Sequence, residues 1–136
     1  MLARGVMEWI VVHDIKSFVA PQVLAEYWAV ATRPANQRGG LGLSIEAVQQ
    51  DIRHFMELHR LAREPSNLLK VWLDLLWEYK VTGRSVWDAR LAAVLRANNI
   101  EHILTFNTVD FRRFDFLRVV HPEELQHQMR EPGGAS

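Results

Sequence analysis

The chain has no cysteine among its 136 residues. That absence removes disulfide staples, thiolate zinc sites and cysteine nucleophiles together, and it is compatible with a cytoplasmic location. Neither sign of charge is in excess, since sixteen Lys plus Arg balance sixteen Asp plus Glu. A neutral total argues against gripping nucleic acid by bulk charge and leaves room for a local basic rim. Long apolar runs are missing too. Near the start, Trp9-Ile10-Val11-Val12 is too short for a signal-peptide core or a membrane span, so no membrane association is expected. No His-Glu-x-x-His pattern, P-loop lysine or Gly-x-Ser-x-Gly elbow occurs. Of the six histidines, His54 and His59 stand five apart, off a shared helical face. The glycines of Gly39-Gly40-Leu41-Gly42 neither follow a strand nor precede a lysine, and read as a flexible loop.

What is present is a composition that folds. Half the residues are hydrophobic and about a quarter charged (49% and 24%), and the length suits one compact domain over 1–136 with a loose tail at 132–136. The pattern alternates strands with longer helices. Lys16 to Ala20 reads as a short strand, and Pro21 suits the first turn of a helix ending near Arg33-Pro34. Ser44 is a good N-cap for a second helix with Val48, Ile52, Phe55 and Met56 on one face. A third helix carries Leu68, Trp72, Leu75 and Tyr79 on one stripe, with Leu69, Leu73 and Leu76 beside it. Ser85 caps a fourth, which ends at Asn98-Asn99. His102 to Phe106 and Leu117 to His121 read as strands. Such alternation implies an α/β sandwich with a mostly parallel sheet, in which ligands sit beyond the carboxyl ends of the strands.

Three places carry candidate chemistry, and each has a plain structural alternative. Asp88 heads the apolar stripe Leu91, Ala92 and Leu95, where a carboxylate needs a cation or a hydrogen-bond network to offset its desolvation. Ser85-x-x-Asp88 equally resembles a capping box, which local pattern alone favours about two to one. Glu26 flanks the stripe of Val23 and Val30, and mid-helix glutamates commonly reach solvent. Asn107 and Asp110 follow the strand ending at Phe106, where a parallel sheet puts its ligands, but Asp110 also suits the cap of a short helical turn.

Taken in order, Pro21-Gln22-Val23-Leu24-Ala25-Glu26-Tyr27-Trp28, then Gly83-Arg84-Ser85-Val86-Trp87-Asp88-Ala89-Arg90-Leu91-Ala92, then Leu104-Thr105-Phe106-Asn107-Thr108-Val109-Asp110-Phe111, the chain resembles the PIN-domain family, in particular its VapC-like toxins. Each motif alone is weak. The three in sequence are fairly specific, and the resemblance runs from about Lys16 to Pro122. It implies a three-layer α/β/α sandwich and a metal-dependent endoribonuclease, with carboxylates holding one or two Mg²⁺ or Mn²⁺ ions that activate water. On this resemblance Glu26 matches the family's helix glutamate and Asp88 its aspartate at a helix start, with Asp110 as a further ligand and Asn107 adjacent. The implied partners are RNA, an antitoxin protein and a second copy in a homodimer.

Two departures modify that expectation. Many members carry Thr-x-Asp after the fourth strand, whereas this chain has Thr105-Phe106-Asn107, so Asp110 is expected to supply the missing charge. The family also begins with a central strand ending in aspartate. Here 15 residues precede Lys16, and one residue, Ile15, separates Asp14 from it. A parallel crossover needs about a dozen residues or more. The fold is therefore expected to be incomplete at the N-terminus and its activity reduced, with Trp9 to His13 pairing antiparallel to patch the gap. The competing reading is a catalytically inactive binding or dimerisation module, which would use the apolar segment Leu68 to Tyr79 as its surface.

Overall fold

A computed structural model describes residues 17–130, with side-chain surroundings given through residue 127. The stretch Trp9 to His13, Asp14 and the tail after Pro132 lie outside the described residues. The described chain is a mixed α/β protein in which every strand pairing is parallel. It divides into two compact units, one ending at Glu64 and the other beginning at Pro65.

The first unit contains β1 (Phe18–Val19), α1 (Pro21–Thr32), α2 (Ile45–Leu58) and β2 (Arg60–Leu61). Pro21 occupies the first turn of α1, where its missing N–H costs nothing. The helix stops at Arg33, whose extended backbone (ψ 138°) is what the following Pro34 demands. The glycine segment then folds back instead of ranging freely, contrary to the flexible loop expected. Leu41 and Leu43 donate their N–H groups to the carbonyls of Val30 and Ala31 at 3.2 and 2.8 Å, and Gly42 donates to Arg33 at 2.8 Å. The loop thus satisfies carbonyls that the end of α1 leaves open. Gly40 is required there, because a Cβ would lie 2.2 Å from the Pro34 carbonyl oxygen.

Ser44 caps α2 as expected, its hydroxyl accepting from the Ala47 N–H at 3.1 Å. Val48 is fully buried on the face read from the sequence and Phe55 is half-buried, but Met56, assigned to the same face, is exposed. The last turn of α2 feeds β2, a two-residue strand that the sequence did not announce. It pairs parallel with β1 in the register Phe18 to Arg60 and Val19 to Leu61. Two polar links tie the unit together. Tyr27 donates its hydroxyl hydrogen to Asp51, and Ser17 and His59 Nδ1 share a hydrogen bond beside the strand pair.

The second unit contains α3 (Leu68–Glu78), α4 (Ser85–Ala97), β3 (His102–Leu104), α5 (Thr108–Phe111), β4 (Arg118–Val120) and α6 (Pro122–Arg130). Helices α3 and α4 pack together. Leu68 and Leu75 are buried on the stripe assigned to them, and Trp72 donates its indole N–H to the Val86 carbonyl at 2.8 Å. Helix α4 is the spine of the unit, with every residue from Leu91 to Leu95 buried. It ends where Asn99 adopts the left-handed conformation (φ 56°), as expected of an asparagine at that point. Strands β3 and β4 pair parallel over His102 to Arg118, Ile103 to Val119 and Leu104 to Val120. The connection between them buries its own Phe111, Phe114 and Leu117.

One expected cap is corrected. Ser85 does not cap α4; it is the helix's first residue, Arg84 holds the cap position, and no side chain bonds there. Gly83, at φ 62°, starts a tight turn in which Val86 donates to the Gly83 carbonyl and Trp87 to the Arg84 carbonyl, both at 3.2 Å. The Arg84 carbonyl thus satisfies the Trp87 N–H that a serine cap at this point could have served. No helix of the described residues is long and apolar enough to cross a membrane.

Candidate functional site

Strand β3 and the segment after it build the most site-like feature of the second unit. The strand is short because Thr105 leaves it after one further ladder bond, from its N–H to the Val120 carbonyl at 3.0 Å. Thr105 then turns the chain, its hydroxyl accepting the Asn107 N–H at 3.0 Å. This is an ST-turn, a side-chain substitute for a backbone bend. Four-residue α5 follows, with Asp110 within it, and the Asn107 side-chain amide donates to the Asp110 carboxylate. Two sequence-expected residues are therefore held together, just beyond the carboxyl end of a parallel strand. Because the Asn107 NH₂ is engaged by Asp110, its amide oxygen and the remaining carboxylate lone pairs stay available as acceptors or ligands.

The neighbouring strand ends at the same side. His121 follows β4, and its Nδ1 accepts the Glu123 N–H at 3.0 Å, which leaves the proton of the neutral ring on Nε2. The His121 ring meets Phe106 edge to face, with centroids 5.4 Å apart and planes at 90°. Neither Phe106 nor His121 was singled out from the sequence. Strand direction gave half of the signal, since in parallel strands both carboxyl ends face one way; the other half, that β3 and β4 are neighbours, came from the pairing itself.

Asp88 lies in the first turn of α4, half-buried, at the head of the buried Leu91, Ala92 and Leu95. Its place on the helix is the one read from the sequence. With Ser85 displaced from the cap position, the serine half of the proposed capping box is gone. Glu26 belongs to the other unit, on the exposed face of α1, where its carboxylate accepts from the Gln22 amide at 3.3 Å. Among the described residues, no three His, Asp or Glu side chains form a group that could hold a metal ion. In type, the donors at the turn fit a hard divalent cation, because carboxylate and amide oxygens are what Mg²⁺ and Mn²⁺ select.

A hollow lined by Glu101, His102, Asp115, Phe116, Leu117 and Arg118 opens at the other, amino-terminal end of β3 and β4. We place the candidate site at the carboxyl end regardless, because there the backbone leaves the sheet and polar side chains converge.

Comparison of the chain with protein-family models gives no match, and comparison with curated proteins gives none either.

Proposed function

We propose that this chain is a metal-dependent endoribonuclease of the PIN type, related to VapC toxins, acting in the cytoplasm on RNA phosphodiesters. The observation that supports the reading is the Asn107–Asp110 pair, joined side chain to side chain immediately past the carboxyl end of β3. In this reading Asp110 and Asp88 hold Mg²⁺ or Mn²⁺ with Asn107 alongside. The bound cation would supply an activated water and charge neutralisation at phosphorus. Asn107 fixes the Asp110 carboxylate by donating to one of its oxygens, so little rotamer freedom remains to be lost when a ligand arrives. Magnesium is commonly held by one or two carboxylates plus substrate phosphates, so a small protein donor set is chemically sufficient.

The test is cleavage of a mixed RNA pool with Mg²⁺ or Mn²⁺. The expected result is metal-dependent cleavage that EDTA stops and that Asp110→Asn or Asp88→Asn lowers by at least about a hundredfold, in the range for losing a charge-stabilising group. Cleavage surviving both substitutions, or none in any metal, would sink the reading.

One observation favours a second reading, a binding module without catalysis that docks an antitoxin or a second copy. On α3, Leu69, Leu73 and Trp77 are 63%, 54% and 77% exposed, and their i, i+4, i+8 spacing lines them on one face. The apolar arc of α3 is therefore wider than its packing on α4 requires. Under this reading Leu73→Glu abolishes partner capture or dimerisation in sizing chromatography and leaves the melting temperature nearly unchanged. An elution profile that ignores the substitution counts against it.

A further inference from the structure

The turn that carries Asn107 and Asp110 also presents an aromatic ring. Phe106 directly precedes the pair and is 60% exposed. An isolated exposed phenylalanine is ordinary, but this one is held in place. His121 braces it edge to face, and His121 is itself fixed by the Glu123 N–H on its Nδ1. On the other side, the ST-turn at Thr105 sets the backbone just after the ring. A ring that is both exposed and pinned loses little conformational freedom when something stacks on it.

We propose that Phe106, braced by His121, is a stacking platform for one unpaired nucleobase of single-stranded RNA, beside the Asn107–Asp110 turn. The proposal rests on the ribonuclease reading and adds to it a residue that would hold one base of the substrate. Every nucleobase offers a π face, so stacking on an aromatic side chain tolerates sequence. Bases in a duplex already stack on one another, and a platform of this kind therefore selects unpaired strands. The chain carries no net positive charge to hold RNA by electrostatics alone. A stacking contact supplies affinity where charge does not, and the exposed Arg112 and Arg113 at the end of α5 give the same segment a local cationic edge for phosphates.

The experiment measures binding of a fluorescently labelled single-stranded oligoribonucleotide by anisotropy in EDTA, for the wild type, Phe106→Ala, Phe106→Leu and Phe106→Trp. Loss of one base–aromatic stack corresponds to roughly 5- to 150-fold weaker binding. Phe106→Ala and Phe106→Leu are expected in that range. Phe106→Trp should bind within about threefold of the wild type or more tightly, since tryptophan stacks at least as well. A duplex of the same sequence should not distinguish the four proteins. Leucine binding like phenylalanine would show plain apolar contact and overturn the platform. So would an alanine variant that binds normally, or one whose main change is a shift in oligomeric state. Wild-type protein that cleaves RNA while Phe106→Ala binds unchanged overturns the platform alone, whereas wild-type protein that neither binds nor cleaves overturns the ribonuclease reading beneath it.

Discussion

The two units are stabilised in different ways. In the first, the buried apolar residues are Ala20, Ala31, Val48 and Ala62, while Val23, Trp28 and Val30 of α1 are exposed. Its long-range side-chain links include two polar ones, from Tyr27 to Asp51 and from Ser17 to His59, and an aromatic one, Tyr27 edge to face on Phe55 with centroids 5.3 Å apart. In the second, leucines and phenylalanines are buried, and Tyr79, Phe114 and Phe116 stack with centroid distances of 5.2 to 6.3 Å. Small buried side chains remove little apolar area from water, so the first unit draws more on directional bonds, which contribute modestly net. The second draws on burial and aromatic contact, which are larger and less sensitive to pH. Each unit nonetheless contains one tyrosine of the chain's two, and each tyrosine donates to an aspartate.

The largest expected effect comes from the second unit's core. Phe114 is fully buried among aromatic neighbours, so Phe114→Ala should cost about 3–5 kcal/mol in urea denaturation. Val48→Ala, the matching deletion in the first unit, should cost about 2 kcal/mol, since it removes two carbons at about 0.8 kcal/mol each and leaves a small cavity. Equal losses would mean that the two cores are not different in kind.

The tyrosines sharpen the comparison at high pH. Burial, then the hydrogen bond and charge of Asp51, push the Tyr27 phenol up to about 12. Burial, then Asp115, does the same for Tyr79, also to about 12. The folded state thus keeps protons that the unfolded chain gives up near pH 10. Stability from these groups is fully present below pH 10 and drains away between about 10 and 12. An absorbance titration should show one late wave, and Tyr27→Phe or Tyr79→Phe should each halve it and cost about 1 kcal/mol. Ionisation near 10 would show that the aspartate links do not form in solution.

His59 gives the smallest and most local effect. Burial, and secondarily the charge of His54, lower its pKa below 6.5, and its Nε2 is buried with no hydrogen-bond partner among the described residues. Neutral His59 is favoured in the fold, so its contribution is complete above pH 6.5 and is lost as pH falls through the depressed value. A ring that titrates by NMR at or above 6.5 would contradict this, and His59→Gln should flatten the acid slope of stability.

Some features are local enough to be legible residue by residue. Proline at the start of α1, Arg33-Pro34 at its end, Ser44 at the head of α2 and Asn99 after α4 each follow from a backbone preference that neighbours do not alter. Misreadings arose where a neighbour decided. Ser85 lost its cap role to carbonyls of the preceding turn, and the glycine segment was tied down by carbonyls of α1. The two-residue β2 has no periodicity to detect and exists because β1 lies alongside it. In the candidate site, Asn107 and Asp110 were visible as polar residues after a strand, whereas the contact between Phe106 and His121 required knowing that β3 and β4 pair side by side.

The sequence by itself determined the alternation of strands and helices, the α4 stripe of Leu91, Ala92 and Leu95, and the placement of Asn107 and Asp110 past the end of β3. Those are consequences of period, capping chemistry and chain direction, all of which act over a few residues. Tertiary structure alone decided which strands pair, β1 with β2 and β3 with β4, that Leu69, Leu73 and Trp77 stay in water while Leu75 does not, and that His121 braces Phe106. Burial and pairing depend on which surface arrives opposite. Thirteen residues separate Leu104 from Arg118, and no local preference along them specifies which strand β4 will meet.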